Sequence, residues 1–136
     1  MMPITPIVKH LLILNVIVAI GSNLLPQYGV YLPFYSADHP YFQPFQIISH
    51  MFAHADLTHL LFNMLSLYFL GPMVEMALGP KRFFGLYMIS GLIALAAHFL
   101  IFHLPYLMAS SYIQPLPVLG ASGAVYGVTI AFATLF

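Results

Sequence analysis

SHMFAHADLTHLLFNMLSLYFLGPMVEMALG, residues 49 to 79, contains from Leu57 to Leu78 an apolar run of the length a bilayer demands, yet carries His50, His54, His59, Asn63 and Glu75. A helix needs about 20 mostly apolar residues to cross the hydrocarbon core. Polar side chains inside such a span are costly and turn toward a bundle interior or a water-filled cavity. His59 and Asn63 are four apart, so a helix places both on one face. The ordinary use of such a pair is an interhelical hydrogen bond, worth about 0.6 kcal/mol on average. His50 and His54 share the i, i+4 spacing of a zinc-binding helix. Met51 stands where the base glutamate of that motif belongs and no third ligand is evident, so neither metal nor cofactor is expected. At the far end, Gly71 and Gly79 flank Glu75. The two glycines are expected to allow close helix packing, Pro72 to kink or part the helix end, and Glu75 to bond an inner loop or face solvent.

The whole chain repeats this apolar character. Of its 136 residues 62% are hydrophobic and 4% charged, against roughly 25% charged in soluble domains. The predicted fold class is an all-α membrane protein, a polytopic helical bundle with spans over about 11–25, 57–78, 83–102 and 121–136. The first span is short, and Ala19 and Gly21 have a signal-peptide-like spacing, but nothing downstream reads as a soluble mature domain. Residues 122–136 give only about 22 Å of helix at roughly 1.5 Å each, so the last span is expected to continue past Phe136. Absence of cysteine removes disulfides and thiolate metal sites. With no basic patch to neutralise phosphates, nucleic acid is not an expected partner.

Three basic residues set the expected orientation. Lys9 precedes the first span, while Lys81 and Arg82 join the second to the third. Keeping all three inside places the N-terminus in the cytoplasm, the 26–56 and 103–119 loops outside, and residue 122 near the outer face. The expected location is the cell (inner) membrane. The loop stretch YGVYLPFYSADHPYFQPFQ, residues 28 to 46, is rich in tyrosine, phenylalanine and proline. Such a composition suits a structured element at the headgroup layer better than a flexible linker or a helix.

A second stretch, GASGAVYG at residues 120 to 127, opens the last span. It is approached through Pro105, Pro115 and Pro117, and each proline pushes its preceding residue out of helical geometry. Irregular backbone at membrane depth requires surrounding protein or water, so a wet cavity near Ser122 is expected. A serine flanked by Gly120 and Gly123 at a helix N-terminus presents its hydroxyl where backbone N–H groups converge, a suitable place for an oxyanion. Alone, the same pattern also describes small residues that begin and pack membrane helices.

Taken in order, HADLTHLLFN, GPMVEMALG and GASGAVYG resemble the rhomboid family of intramembrane serine proteases, over roughly residues 46 to 136. The resemblance implies a single six-span domain of which about four spans lie in residues 1–136. It also implies a serine endopeptidase that cleaves transmembrane substrates in or near the bilayer. Ser122 is then the nucleophile, with His59 and Asn63 stabilising the oxyanion. Gly120 and Gly123 shape the serine turn, Tyr126 packs on the catalytic histidine, and His50 and His54 brace the outer loop. Gln46 replaces an arginine found in many members, which bears on substrate or loop contacts.

The family's general base is a histidine on a later span, in a pattern of the kind G-x-x-x-A-H-x-x-G. Ala97-His98 imitates it but precedes the serine and has Ile101 where glycine belongs. His98 and His103 are therefore read as interhelical or interfacial. A serine without its base is a poor nucleophile, so residues 1–136 alone are expected to be almost inactive. The alternative is a non-catalytic relative that binds client transmembrane helices. A small channel or transporter subunit is the reading from a different class.

Overall fold

A computed structural model describes residues 3–109 and 114–136, and within them the regular structure is helical. Three helices are long and apolar enough to cross a membrane: α1 (Pro6–Leu24), α4 (Leu57–Leu78) and a continuous run over Pro80–Ala109. A fourth apolar helix, α7 (Ser122–Leu135), is shorter. Large aliphatic and aromatic side chains such as Ile17, Phe62, Phe69 and Ile93 lie on the outside of this bundle. Their exposure suits lipid, and the protein is an integral membrane protein.

Each helix boundary has a local cause. Pro6 opens α1, where the missing N–H costs nothing, so the first span begins five residues before the expected Leu11. Asp56 caps α4, its side chain accepting from His59 N at 2.7 Å. Gly79 ends α4 at φ 81°, ψ 158°, and Pro80 begins α5 (Pro80–His98) directly after it. That backbone conformation is nearly exclusive to glycine. No atom lies within 4 Å of a Cβ built on Gly79, so it serves the turn and not the close packing expected of it.

Two prolines behave differently from expectation. Pro72 sits buried inside α4, which runs on unbroken to Leu78. Leu104, before Pro105, is helical at φ −64° and ψ −46°. A π-helical turn over Phe99–His103 widens the backbone ahead of Pro105, and the chain continues as α6 (Leu104–Ala109). Residues 110–113 of the approach to Gly120 lie outside the described residues.

The 26–56 loop is a built element with short helical turns, α2 (Pro26–Gly29), α3 (Gln46–Ser49) and a 3-10 turn at His50–Phe52. Phe34 exchanges two backbone hydrogen bonds with Val118, at 2.8 and 2.9 Å, which ties this loop to the segment entering α7. Gln46 is fully buried and acts as a staple. Its amide donates to Tyr31 O and Tyr41 O at 3.0 and 2.6 Å and accepts from Tyr35 N at 3.3 Å. A neutral side chain therefore supplies the loop's internal contacts at the position where the sequence left them in doubt.

α7 packs chiefly on α5 and then on α4, while α1 packs on α4. A Cβ on Gly123 would meet the Ala94 Cβ at 2.5 Å, and one on Gly71 would meet Val8 Cγ2 at 2.7 Å. Gly71 thus lets α1 approach α4. Gly123 lies within the first turn of α7, and its missing side chain lets α7 approach α5. The turn itself is shaped by Gly120, at φ 113°.

Glu75 fastens the start of α1 to the last turns of α4. It is 3% exposed, and its carboxylate accepts from Thr5 Oγ1 at 2.5 Å, Val8 N at 3.0 Å and Ile7 N at 3.1 Å. Neither an inner loop nor solvent is its partner. α1 has no cap from its own sequence, and the carboxylate on α4 takes that role at the positive end of the α1 dipole.

Candidate active site

Ser122 is the first residue of α7 and follows the Gly120 turn. Among the described residues no side chain caps this helix and the first-turn N–H groups of Ser122, Gly123 and Ala124 have no acceptor, the arrangement that suits an anion. Ser122 is half-buried, and its hydroxyl makes no hydrogen bond among the described residues. It lines a cavity of about 240 Å³ together with His50, Gly91, Ala94, His98 and Tyr126.

Three histidines from the 49–79 stretch hold the turn that presents this serine. The His50 carbonyl accepts from Gly120 N at 2.8 Å. His54 Nε2 accepts from Ala121 N over a long 3.5 Å, while its Nδ1–H points to Phe52 O at 3.3 Å. The His59 ring covers Gly120 so closely that a Cβ there would stand 2.6 Å from Cε1. Side chains are therefore barred from position 120 twice, by φ and by His59. Burial lowers the pKa of His50, and burial together with the neighbouring His59 pushes His54 down to about 4. Both imidazoles are neutral near pH 7, which leaves His54 Nε2 able to accept.

His59 and Asn63 share one face of α4, with Asn63 7% exposed and its Nδ2 buried without a partner among the described residues. A buried amide donor without an acceptor carries a desolvation cost of about 1–3 kcal/mol. Neither residue lines the Ser122 cavity, however. His59 meets the turn at Gly120, and Asn63 lies one helical turn further along α4.

Residues 41–136 match the family model described as Rhomboid domain. The chain belongs to the rhomboid family. Over 90 residues it is 39% identical to Rhomboid protein 1, mitochondrial, of Saccharomyces cerevisiae, covering 66% of this chain and 25% of that protein. Its identity to RHOMBOID-like protein 2 of Arabidopsis thaliana is 36% over 85 residues, covering 62% of the chain and 23% of the relative. To the putative rhomboid protease YdcA of Bacillus subtilis it is 34% over 82 residues, 60% and 36% respectively. This rhomboid chain thus spans between about a quarter and a little over a third of the length of these relatives.

One side chain of this rhomboid stands apart from its expected surroundings. Tyr126 is 71% exposed, so its ring is open where the resemblance seats it against a histidine. His98 lies on the wall of the serine cavity, and His103 behind it bonds Ser36. Sequence spacing missed this because a π-helical turn separates the two histidines, and an ideal 3.6-residue period does not bring them together.

Proposed function

We propose that this chain carries the nucleophile and oxyanion side of an intramembrane serine endopeptidase acting on transmembrane protein substrates. The observation that supports it best is the Ser122 hydroxyl, cavity-lining and without a hydrogen bond among the described residues, on the first turn of a helix that none of their side chains caps. In this reading Ser122 attacks the peptide carbonyl, and the free first-turn N–H groups receive the oxyanion with help from His59 and Asn63. The proton acceptor is assigned to a histidine on a later span of one six-span domain, as the family resemblance implies, with Tyr126 as its seat. Residues 1–136 alone are then nearly inactive.

In the full-length protein a fluorophosphonate probe is expected to label Ser122 and to leave a Ser122→Ala variant unlabelled. Equal labelling of both variants would remove the nucleophile assignment. A second reading, a non-catalytic rhomboid that holds client helices, draws on the absence of an imidazole bonded to Ser122 among the described residues. Client capture without labelling or cleavage would select it.

We also place the protein in the cell membrane with its N-terminus cytoplasmic, on the positions of Lys9, Lys81 and Arg82. A cysteine at Gln114 should react with an impermeant reagent added outside and one at Lys81 should not. The reverse pattern inverts the orientation.

A further inference from the structure

One glycine on the wall of the serine cavity faces two ways. Gly91 is buried on α5, and its Cα stands 3.6 Å from where a Cβ on Gly123 would be, so it takes part in the contact between α5 and α7. A Cβ built on Gly91 itself points elsewhere. It would stand 2.3 Å from Met51 Cε, 2.8 Å from Sδ and 3.3 Å from Cγ. The missing side chain leaves a notch that receives the tip of Met51 from the 26–56 loop.

Met51 is 1% exposed and belongs to the same apolar core as Leu60, Leu67 and Val125. A thioether chain adapts to irregular space more readily than a branched one, but a close-packed interior leaves its tip no vacant direction to swing into. The 3-10 turn that carries Met51 also packs on α1 and α7. Met51 is therefore held at its tip by α5 and along its length by the core.

This seat governs an atom that the serine turn uses. The His50 carbonyl, which accepts from Gly120 N at 2.8 Å, belongs to the peptide unit joining His50 to Met51. Because a peptide unit is planar, the direction of that carbonyl follows the Cα atoms of both residues. On its other side His50 is held through Nδ1, 2.9 Å from Gln46 O. The second tether of the turn, Ala121 N to His54 Nε2, is long at 3.5 Å. The short bond is thus the one that Met51 orients, two residues before Ser122.

We propose that Met51, seated in the Gly91 notch, is a positioning residue for Ser122. It aims the His50 carbonyl at Gly120 N and so fixes the turn that presents the hydroxyl. Met51 acts through that carbonyl and does not itself line the serine cavity. The consequence for chemistry rests on the serine reading; the consequence for the turn does not.

The test uses the full-length protein in micelles and two readings: hydrogen exchange of the Gly120 amide, and the maximal rate at which a saturating fluorophosphonate probe labels Ser122. Gly91→Ala drives a methyl into the space of Sδ and Cε, so Met51 must retreat. Gly120 exchange is expected to rise about tenfold or more as its bond to His50 loosens. Maximal labelling is expected to fall about ten- to a hundredfold, the range that a misplacement of about 1 Å produces, with the half-saturating probe concentration unchanged. Met51→Val alone empties the notch and should move both readings in the same direction. Gly91→Ala combined with Met51→Val should return both toward wild type, because valine lacks the two closest clashing atoms and the new methyl fills the notch. A loss through general destabilisation, or through the α5–α7 contact, would not be reversed by the second substitution. Gly85→Ala on the same helix, with no atom within 4 Å of its Cβ, should change neither reading. Circular dichroism checks folding. If Gly91→Ala fails to fold, a double variant that folds and surpasses Met51→Val supports the seat, and one that does not overturns it. Unchanged Gly120 exchange in both single variants, a double variant no better than Gly91→Ala, or an equal effect of Gly85→Ala overturns the proposal. No labelling of wild type would remove the serine reading and leave the seat to be decided by Gly120 exchange.

Discussion

Replacing Glu75 by alanine should loosen the first helix from the second span without unwinding either one. The buried carboxylate accepts three hydrogen bonds, of which two come from the Ile7 and Val8 N–H groups in the first turn of α1. Removing it leaves two first-turn donors without acceptors, at about 1–3 kcal/mol for each that stays buried. Ile7 is only part-buried and recovers some of this from water. The combined loss is about 2 to 4 kcal/mol, including the favourable charge at the helix N-terminus. Amide hydrogen exchange in micelles reads this directly, because opening of the α1–α4 junction exposes those two N–H groups. Their protection should fall roughly 30- to 700-fold, at about 1.4 kcal/mol per factor of ten. Glu75→Gln should fall between, since an amide retains one acceptor but places a donor against N–H groups. Unchanged protection at Ile7 and Val8 in Glu75→Ala would refute the capping role.

Two further outcomes follow from the geometry. Gly79→Ala should cost about 1–3 kcal/mol through backbone strain alone, since the site is sterically open but its φ is 81°; detergent-unfolding midpoints equal to wild type would contradict this. His54 predicts a pH dependence. Its folded pKa near 4 lies below the usual value of 6.5, so the unfolded chain binds more protons between those values. Stability is complete above about pH 6.5 and declines as pH falls toward 4, by about 1–2 kcal/mol after allowance for the part of the ring that faces water. His54→Gln keeps an acceptor for Ala121 and should flatten the slope in unfolding measured against pH. His50 titrates in the same direction, so a residual slope remains.

Much of the architecture was legible because bilayer spans impose their own signal. Twenty consecutive apolar residues must be a helix, since no water is present to satisfy an open backbone. Asp56 and Gly79 bracket α4 with a cap and a turn that local sequence expresses directly. Prolines were less legible. The rule that a residue preceding proline leaves the helix is a local preference, and at Leu104 a π-helical turn relieves the clash that the rule assumes. Glycines were ambiguous in the same way. Gly79 and Gly123 look alike in sequence, yet one relieves φ and the other makes room for Ala94.

Sequence alone determined that this protein is a helical membrane bundle and a rhomboid relative, because hydrophobic length and the order of short motifs survive without coordinates. It also singled out Ser122, His59 and Asn63 as residues whose polarity is out of place in lipid. Tertiary structure alone decided their partners. Glu75 finds the first turn of α1, sixty-seven to seventy residues away in the chain. Gly120 lies under His59, and His98 shares a cavity wall with Ser122. Such pairings depend on how separate helices approach and rotate against one another, and that is set by small-residue contacts such as Gly71 on Val8 and Gly123 on Ala94. A single helix does not encode its own rotation, so candidate residues could be named from the chain but their contacts could not.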